Sequence, residues 1–106
     1  MFYEIRRYQI RPGRRDEWVR FMEDVVIPFQ QSKGMAVTAS FIDEEDDDAY
    51  VWIRRFEDEA QREALYAAVY DSDGWKNDVG PAVHELLIAE KTVVTRVVPT
   101  PASPLR

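Results

Sequence analysis

The chain has no cysteine, one histidine (His84), four glycines and no excess of positive charge. Each shortage removes a class of protein. Without cysteine there are no disulfides, no thiolate zinc ligands and no thiol nucleophile, and the composition suits a reducing compartment. A single imidazole is a poor basis for a transition-metal site, so no metal and no cofactor is expected. No apolar run approaches the roughly 20 residues that cross a bilayer, and Met1-Phe2-Tyr3-Glu4 does not open a signal peptide. A protein of the cytoplasm with no membrane partner is the expectation. The net charge of −6 argues against a nucleic-acid partner, which needs a basic footprint. All six residues from Asp43 to Asp48 are acidic, so the rest of the chain is close to neutral. There is no glycine-rich phosphate loop and no serine-centred nucleophile motif.

What the chain does have is pattern. At 106 residues and 45% hydrophobic content it makes one globular domain. Phe2 to Ile10 reads as a strand, which Arg11-Pro12-Gly13 ends. A helix from Arg14 to Ser32 follows, with Trp18, Phe21 or Met22, Val25 and Phe29 on its buried face. Pro28 lies inside it and predicts a kink or a broken last turn, and Lys33-Gly34 is the stop. Ala36–Ile42 and Ala49–Phe56 alternate as strands, joined through the acidic run as a hairpin loop. That run lacks the alternating ligand spacing and the glycine of a calcium loop, and is read as solvated. An alanine-rich helix from Ala60 to Tyr70 is broken by Asp71-Ser72-Asp73-Gly74. A shorter helical segment, Trp75 to Leu87, is interrupted at Gly80-Pro81. Ala89 to Val98 is the last strand. The order βαββαβ predicts an α+β, ferredoxin-like sandwich: a four-stranded antiparallel sheet with helices on one face. Residues 1–98 form the domain and 99–106 an extended, proline-rich tail reaching across a dimer.

Alternation divides the strand residues into two sets. Tyr3, Ile5, Val37, Ala39, Phe41, Val51, Ile53, Val93 and Val97 are read as the helix-facing core. Phe2, Glu4, Arg6, Tyr8, Thr38, Ser40, Ile42, Tyr50, Trp52, Arg54, Phe56, Val94 and Arg96 are read as the open face. That face is large and aromatic as well as charged, which suits a partner better than water. Packed against its copy, it would enclose a cavity of the kind that holds small molecules. Arg7 and Arg55 fall in the supposed core set, so the opposite choice of faces stays open.

The segment Phe2 to Gly13 resembles the opening "YELRxYxLKPG" of the NIPSNAP family. Val51-Trp52 through Phe56-Glu57-Asp58 and Arg62 is similar to that family's "hxWxYxDxxxR". Asp73 with Trp75 and the Pro99-Thr100-Pro101-x-Ser103-Pro104-Leu105 ending continue the likeness in order along nearly the whole chain. The resemblance implies a dimeric α/β barrel, in which two ferredoxin-like sheets face one another. That superfamily includes cofactor-independent monooxygenases of polyketide quinones, heme-degrading enzymes, EthD-like proteins and muconolactone isomerases. NIPSNAP-like proteins themselves mostly lack an assigned reaction, and a shared fold does not confer one. The six-acid run replaces the family's glycine- and asparagine-containing hairpin, and Tyr50 stands at a common histidine position.

The candidate catalytic residues are Arg6, Tyr8, Tyr50 and Arg54; the candidate substrate-binding residues are Glu4, Trp52 and His84. An arginine can hold an oxyanion and a tyrosine can exchange a proton. Tyr8, Tyr50 and Trp52 offer a flat wall, with packing as the plainer role. His84, placed at the barrel rim, is the one side chain whose ordinary pKa lies near neutrality. Glu4 with Arg6 and Arg54 reads equally as an ion pair that fixes an interface. The reading is a homodimeric barrel acting, without metal or flavin, on a planar or carboxylate-bearing small molecule, by monooxygenase- or isomerase-like chemistry. The alternatives are a non-catalytic binding or interaction module and a purely structural dimer.

Overall fold

The computed structural model describes all residues, 1–106. Four strands, β1 (Phe2–Gln9), β2 (Ala36–Ile42), β3 (Ala49–Phe56) and β4 (Val93–Val97), make one antiparallel sheet in the order β2-β3-β1-β4. Helices α1 (Arg15–Phe21), α2 (Ile27–Ser32), α3 (Glu59–Tyr70) and α4 (Gly80–Leu86) lie on one face. This is the expected ferredoxin-like α+β fold, with an open sheet. No helix is long and apolar enough to cross a membrane.

The helix-facing set is the reverse of the one expected. Phe2, Glu4, Tyr8, Tyr50, Trp52, Arg54 and Phe56 are buried beneath the helices, whereas Phe41 and Val93 on the other face are more than half exposed. Size decides this: each large aromatic buries about 150–250 Å², well beyond what valine or isoleucine offers. The two charges buried with them are tolerated because Arg54 pairs with Glu4 at 2.9 Å. Arg7 and Arg55 then point away from the core, and Arg7 reaches Asp43 at 2.9 Å. A bulge between Val37 and Ala39 also splits the β2 set. Val37 lies opposite Arg54 and joins the core, while Ala39 lies opposite Ile53 on the open face.

Proline shapes both helical arms. A π turn, Met22–Val26, joins α1 to α2, and a second, Trp75–Val79, leads into α4. In each the proline comes two residues after the π turn, at Pro28 and Pro81. Proline's ring collides with the carbonyl four residues back in a regular helix, and the wider turn moves that carbonyl aside. The helices therefore run on, with neither the broken last turn that was one of the two expectations at Pro28 nor the interruption expected at Gly80-Pro81. The π turn also advances the buried stripe by one residue. It reads Trp18, Met22, Val26 and Gln30, and leaves the expected Val25 39% exposed.

Local chemistry fixes the remaining joints. The Asp58 side chain accepts from the Gln61 backbone N–H at 2.7 Å, starting α3, and Gln61 accepts in return from the Glu57 N–H. Gly34, at φ +101°, takes the left-handed conformation that ends α2. The acidic hairpin is clamped: Arg15 Nη1 donates to the carbonyls of Asp43 (2.9 Å) and Asp46 (2.7 Å). The last strand is shorter than expected, because residues Ala89–Lys91 form a 3-10 turn before it.

Candidate functional site

A cavity of about 250 Å³ opens between the sheet and the helices of the single chain. β1 contributes Arg6 and Tyr8, and β3 contributes Trp52. The α1–α2 arm adds Trp18, Met22, Val26 and Gln30, its stripe at intervals of four. α3 adds Tyr66 and Tyr70; Trp75, Val83, His84 and Leu87 close the remaining side. Because Trp75 must come close, residue 80 is glycine: a Cβ there would stand 2.8 Å from the Trp75 carbonyl oxygen and 2.9 Å from its indole nitrogen.

A polar network forms one wall and runs behind it. Glu4 receives Arg54 Nη2 at 2.9 Å and Arg62 Nε at 2.7 Å, and the Tyr66 hydroxyl donates to the same carboxylate at 2.8 Å. Arg54, fully buried, also donates from Nη2 to Tyr66 (2.6 Å) and from Nη1 to Tyr70 (2.7 Å) and Gln30 Oε1 (2.9 Å). Its guanidinium carbon lies 4.9 Å from the Trp52 ring centroid, within cation–π range. Arg6 donates from Nε to Tyr8 at 2.8 Å and from Nη1 to Tyr66 at 3.4 Å.

The charges respond to this arrangement. Burial pushes the Glu4 carboxyl upward, but hydrogen bonds from Arg62 and Tyr66 and the charge of Arg54 outweigh it, and its pKa falls to about 2. Burial likewise works against the Arg54 charge, yet the phenolic oxygens of Tyr70 and Tyr66 and the Glu4 carboxylate raise it above its ordinary value. Tyr66 is pushed up to about 12, chiefly by burial. Tyr50 also rises to about 12, again chiefly by burial, and its hydroxyl lies 2.6 Å from Ser40 Oγ.

Of the candidates read from the sequence, Arg6, Tyr8, Trp52 and His84 meet in the cavity wall. Glu4 and Arg54 sit behind it as the network's centre, and Tyr50 is buried to one side against Ser40. Four participants went unread: Gln30, Tyr66, Tyr70 and, as a partner of Glu4, Arg62. The signal for three of them was present, since Arg62, Tyr66 and Tyr70 recur every four residues and share one face of α3. Gln30 was hidden by the register shift of the π turn. No cluster of histidine, aspartate and glutamate able to hold a metal ion is found.

Fold and cavity together define a ferredoxin-like α+β protein with an aromatic-walled chamber between sheet and helices. The family is then settled by sequence: the NIPSNAP family model matches residues 3–104, and the chain belongs to that family. A NIPSNAP family protein of unknown function from Agrobacterium tumefaciens is 26% identical, with 100% of this chain and 94% of that one covered and a TM-score of 0.88. An uncharacterised NIPSNAP domain protein from Burkholderia xenovorans is 18% identical, covering 98% and 99%, with a TM-score of 0.85. More distantly, the fold is shared with an antibiotic biosynthesis monooxygenase: 17% identity, 95% and 100% covered, TM-score 0.68. No curated protein matches the chain.

Proposed function

We propose that this NIPSNAP protein is a homodimer whose protomers each take a planar small molecule into the cavity between sheet and helices. The observation that carries the reading is the chamber itself: about 250 Å³, walled by tryptophan and tyrosine rings, with a guanidinium and phenolic hydroxyls at one side. Small-molecule sites have this composition. Arg6 would stabilise an oxyanion and Tyr8 exchange a proton with it, as a monooxygenase- or isomerase-like reaction needs. The fold shared with an antibiotic biosynthesis monooxygenase is compatible with such chemistry. Dimerisation is supported by the sheet's outer face, where Ile5, Ala39, Phe41, Val51, Ile53 and Val93 make an apolar surface.

A non-catalytic binding module is the second reading, and one observation favours it. Tyr66, at the heart of the network, holds its proton up to about 12 and is fully engaged with Glu4 and Arg54. Native mass spectrometry of the purified protein, followed by identification of released small molecules, tests the proposal. A dimer carrying a flat organic molecule is expected; a ligand-free monomer that binds no aromatic compound would end it. Turnover of the identified ligand, lost in Arg6→Ala, separates the enzyme from the binding module.

A further inference from the structure

The polar wall of the cavity has donors to spare and few free acceptors. The Tyr8 hydroxyl accepts from Arg6 Nε at 2.8 Å, and its own proton meets no acceptor. The Tyr70 hydroxyl accepts from Arg54 Nη1 at 2.7 Å and from Gln30 Nε2 at 3.4 Å, and it too donates to nothing. Tyr66 differs, because its proton goes to Glu4. The amide oxygen of Gln30 is already taken by Arg54 at 2.9 Å. Three tyrosine hydroxyls thus hang on two arginines, and the two outer ones keep a proton free.

The charge balance points the same way. Glu4 is the one carboxylate facing Arg6 (3.6 Å), Arg54 (2.9 Å) and Arg62 (2.7 Å). Arg62's second acid, Glu59 at 3.3 Å, is itself held by Arg96 at 2.7 Å, so Glu4 and Glu59 together face four arginines. Positive charge beside the cavity therefore exceeds its counterions, although the protein as a whole is acidic. Such an excess favours an anionic occupant.

The geometry of the free donors selects the kind of anion. A carboxylate is held best by a guanidinium offering two parallel N–H groups. Both Nη atoms of Arg54 are committed, and Arg6 has Nε on Tyr8 and Nη1 turned to Tyr66 and Glu4. What remains is a set of single donors: the hydroxyls of Tyr8 and Tyr70 and Nη2 of Arg6, with the indole N–H groups of Trp18 and Trp52 and Arg54 Nε also unpartnered. Single donors suit one charged oxygen on a flat ring.

Building on the cavity reading above, we propose that the occupant is the anion of a ring hydroxyl, a phenolate or cyclic enolate, preferred over a carboxylate on the same ring. Tyr8 and Tyr70 donate to its oxygen, Arg6 supplies the counter-charge, and the rings of Trp18, Trp52 and Trp75 pack against its body.

Two probes with one scaffold test this: 4-nitrophenol and 4-nitrobenzoate, offered to the intact protein by equilibrium dialysis at a pH where both are ionised. Nitrophenolate is expected to bind at least roughly tenfold more tightly, the worth of one hydrogen bond to a charged group. Its visible band should persist in the complex at a pH where the free probe is colourless. Tyr70→Phe and Tyr8→Phe, which keep the ring, should each weaken nitrophenolate binding roughly tenfold and return that band toward the free probe's titration. Tryptophan fluorescence confirms that each variant is folded. Equal or tighter binding of nitrobenzoate would overturn the ring-hydroxyl assignment while leaving the cavity reading in place. Nitrophenolate binding that ignores both substitutions would overturn the role of the tyrosines. If neither probe binds, the ligand class and the cavity reading fall together.

Discussion

Glu4 is almost wholly buried and remains charged because three guanidinium groups converge on it. Its pKa, lowered from 4.5 to about 2, is a statement about stability. The folded value is depressed, so the contribution is complete above about pH 4.5 and disappears as the pH falls toward 2. At 1.36 kcal/mol per unit this amounts to about 3 kcal/mol. Urea unfolding followed from pH 7 to pH 2 should show that acid limb, and Glu4→Gln should reduce it to the part left by Asp43, whose carboxyl the Asp46 and Glu45 backbone N–H groups and Arg7 hold at about 2. Arg54→Ala at neutral pH leaves the carboxylate short of its best-buried partner and should cost about 3–5 kcal/mol. A cost below 1 kcal/mol would mean that Arg62 and Tyr66 hold Glu4 without help.

The π turns are the elements that set the cavity's shape. The first places Trp18, Met22, Val26 and Gln30 in one line over the sheet, and the second brings Trp75 back against Gly80. In the second, the Gly80 N–H donates to the Trp75 carbonyl, closing the wide turn. Gly80→Ala forces a methyl group to 2.8 Å from that carbonyl oxygen, a backbone atom that cannot swing aside. The substitution should destabilise the protein by about 1–3 kcal/mol. It should also displace Trp75 from the cavity wall, seen as a shifted emission maximum and weaker aromatic-ligand binding. Thermal melts indistinguishable from wild type would show that the turn relaxes freely. Sequence periodicity finds both helical arms, and the two prolines mark where they deviate. It misplaces the second half of the first arm, because period 3.6 carries no information about one extra residue in a turn.

For the molecule as a whole, the outer face of the sheet is the surface no helix covers. Ile5, Val51 and Ile53 lie in its middle and Phe41 and Val93 toward its edges, with Arg7 and Arg55 among them. If that face is the dimer contact, Ile53→Asp places a charge in it without entering the cavity, which lies on the opposite side of the sheet. The variant should sediment as a monomer while retaining aromatic-ligand binding. A variant that stays dimeric in analytical ultracentrifugation would move the interface elsewhere.

The order of strands and helices, the acidic hairpin and the ferredoxin-like topology follow from the amino-acid sequence alone, because they rest on local propensities and on hydrophobic period. The pairing of Glu4 with arginine was legible too, since it needs only neighbouring strands. Which face of the sheet meets the helices was not legible, because alternation yields two sets and does not rank them. The choice depends on aromatic bulk buried together and on α3 supplying Arg62, Tyr66 and Tyr70 as hydrogen-bond partners for Glu4 and Arg54. Those partners lie between 12 and 62 residues apart in the chain, and only folding brings them within hydrogen-bonding distance.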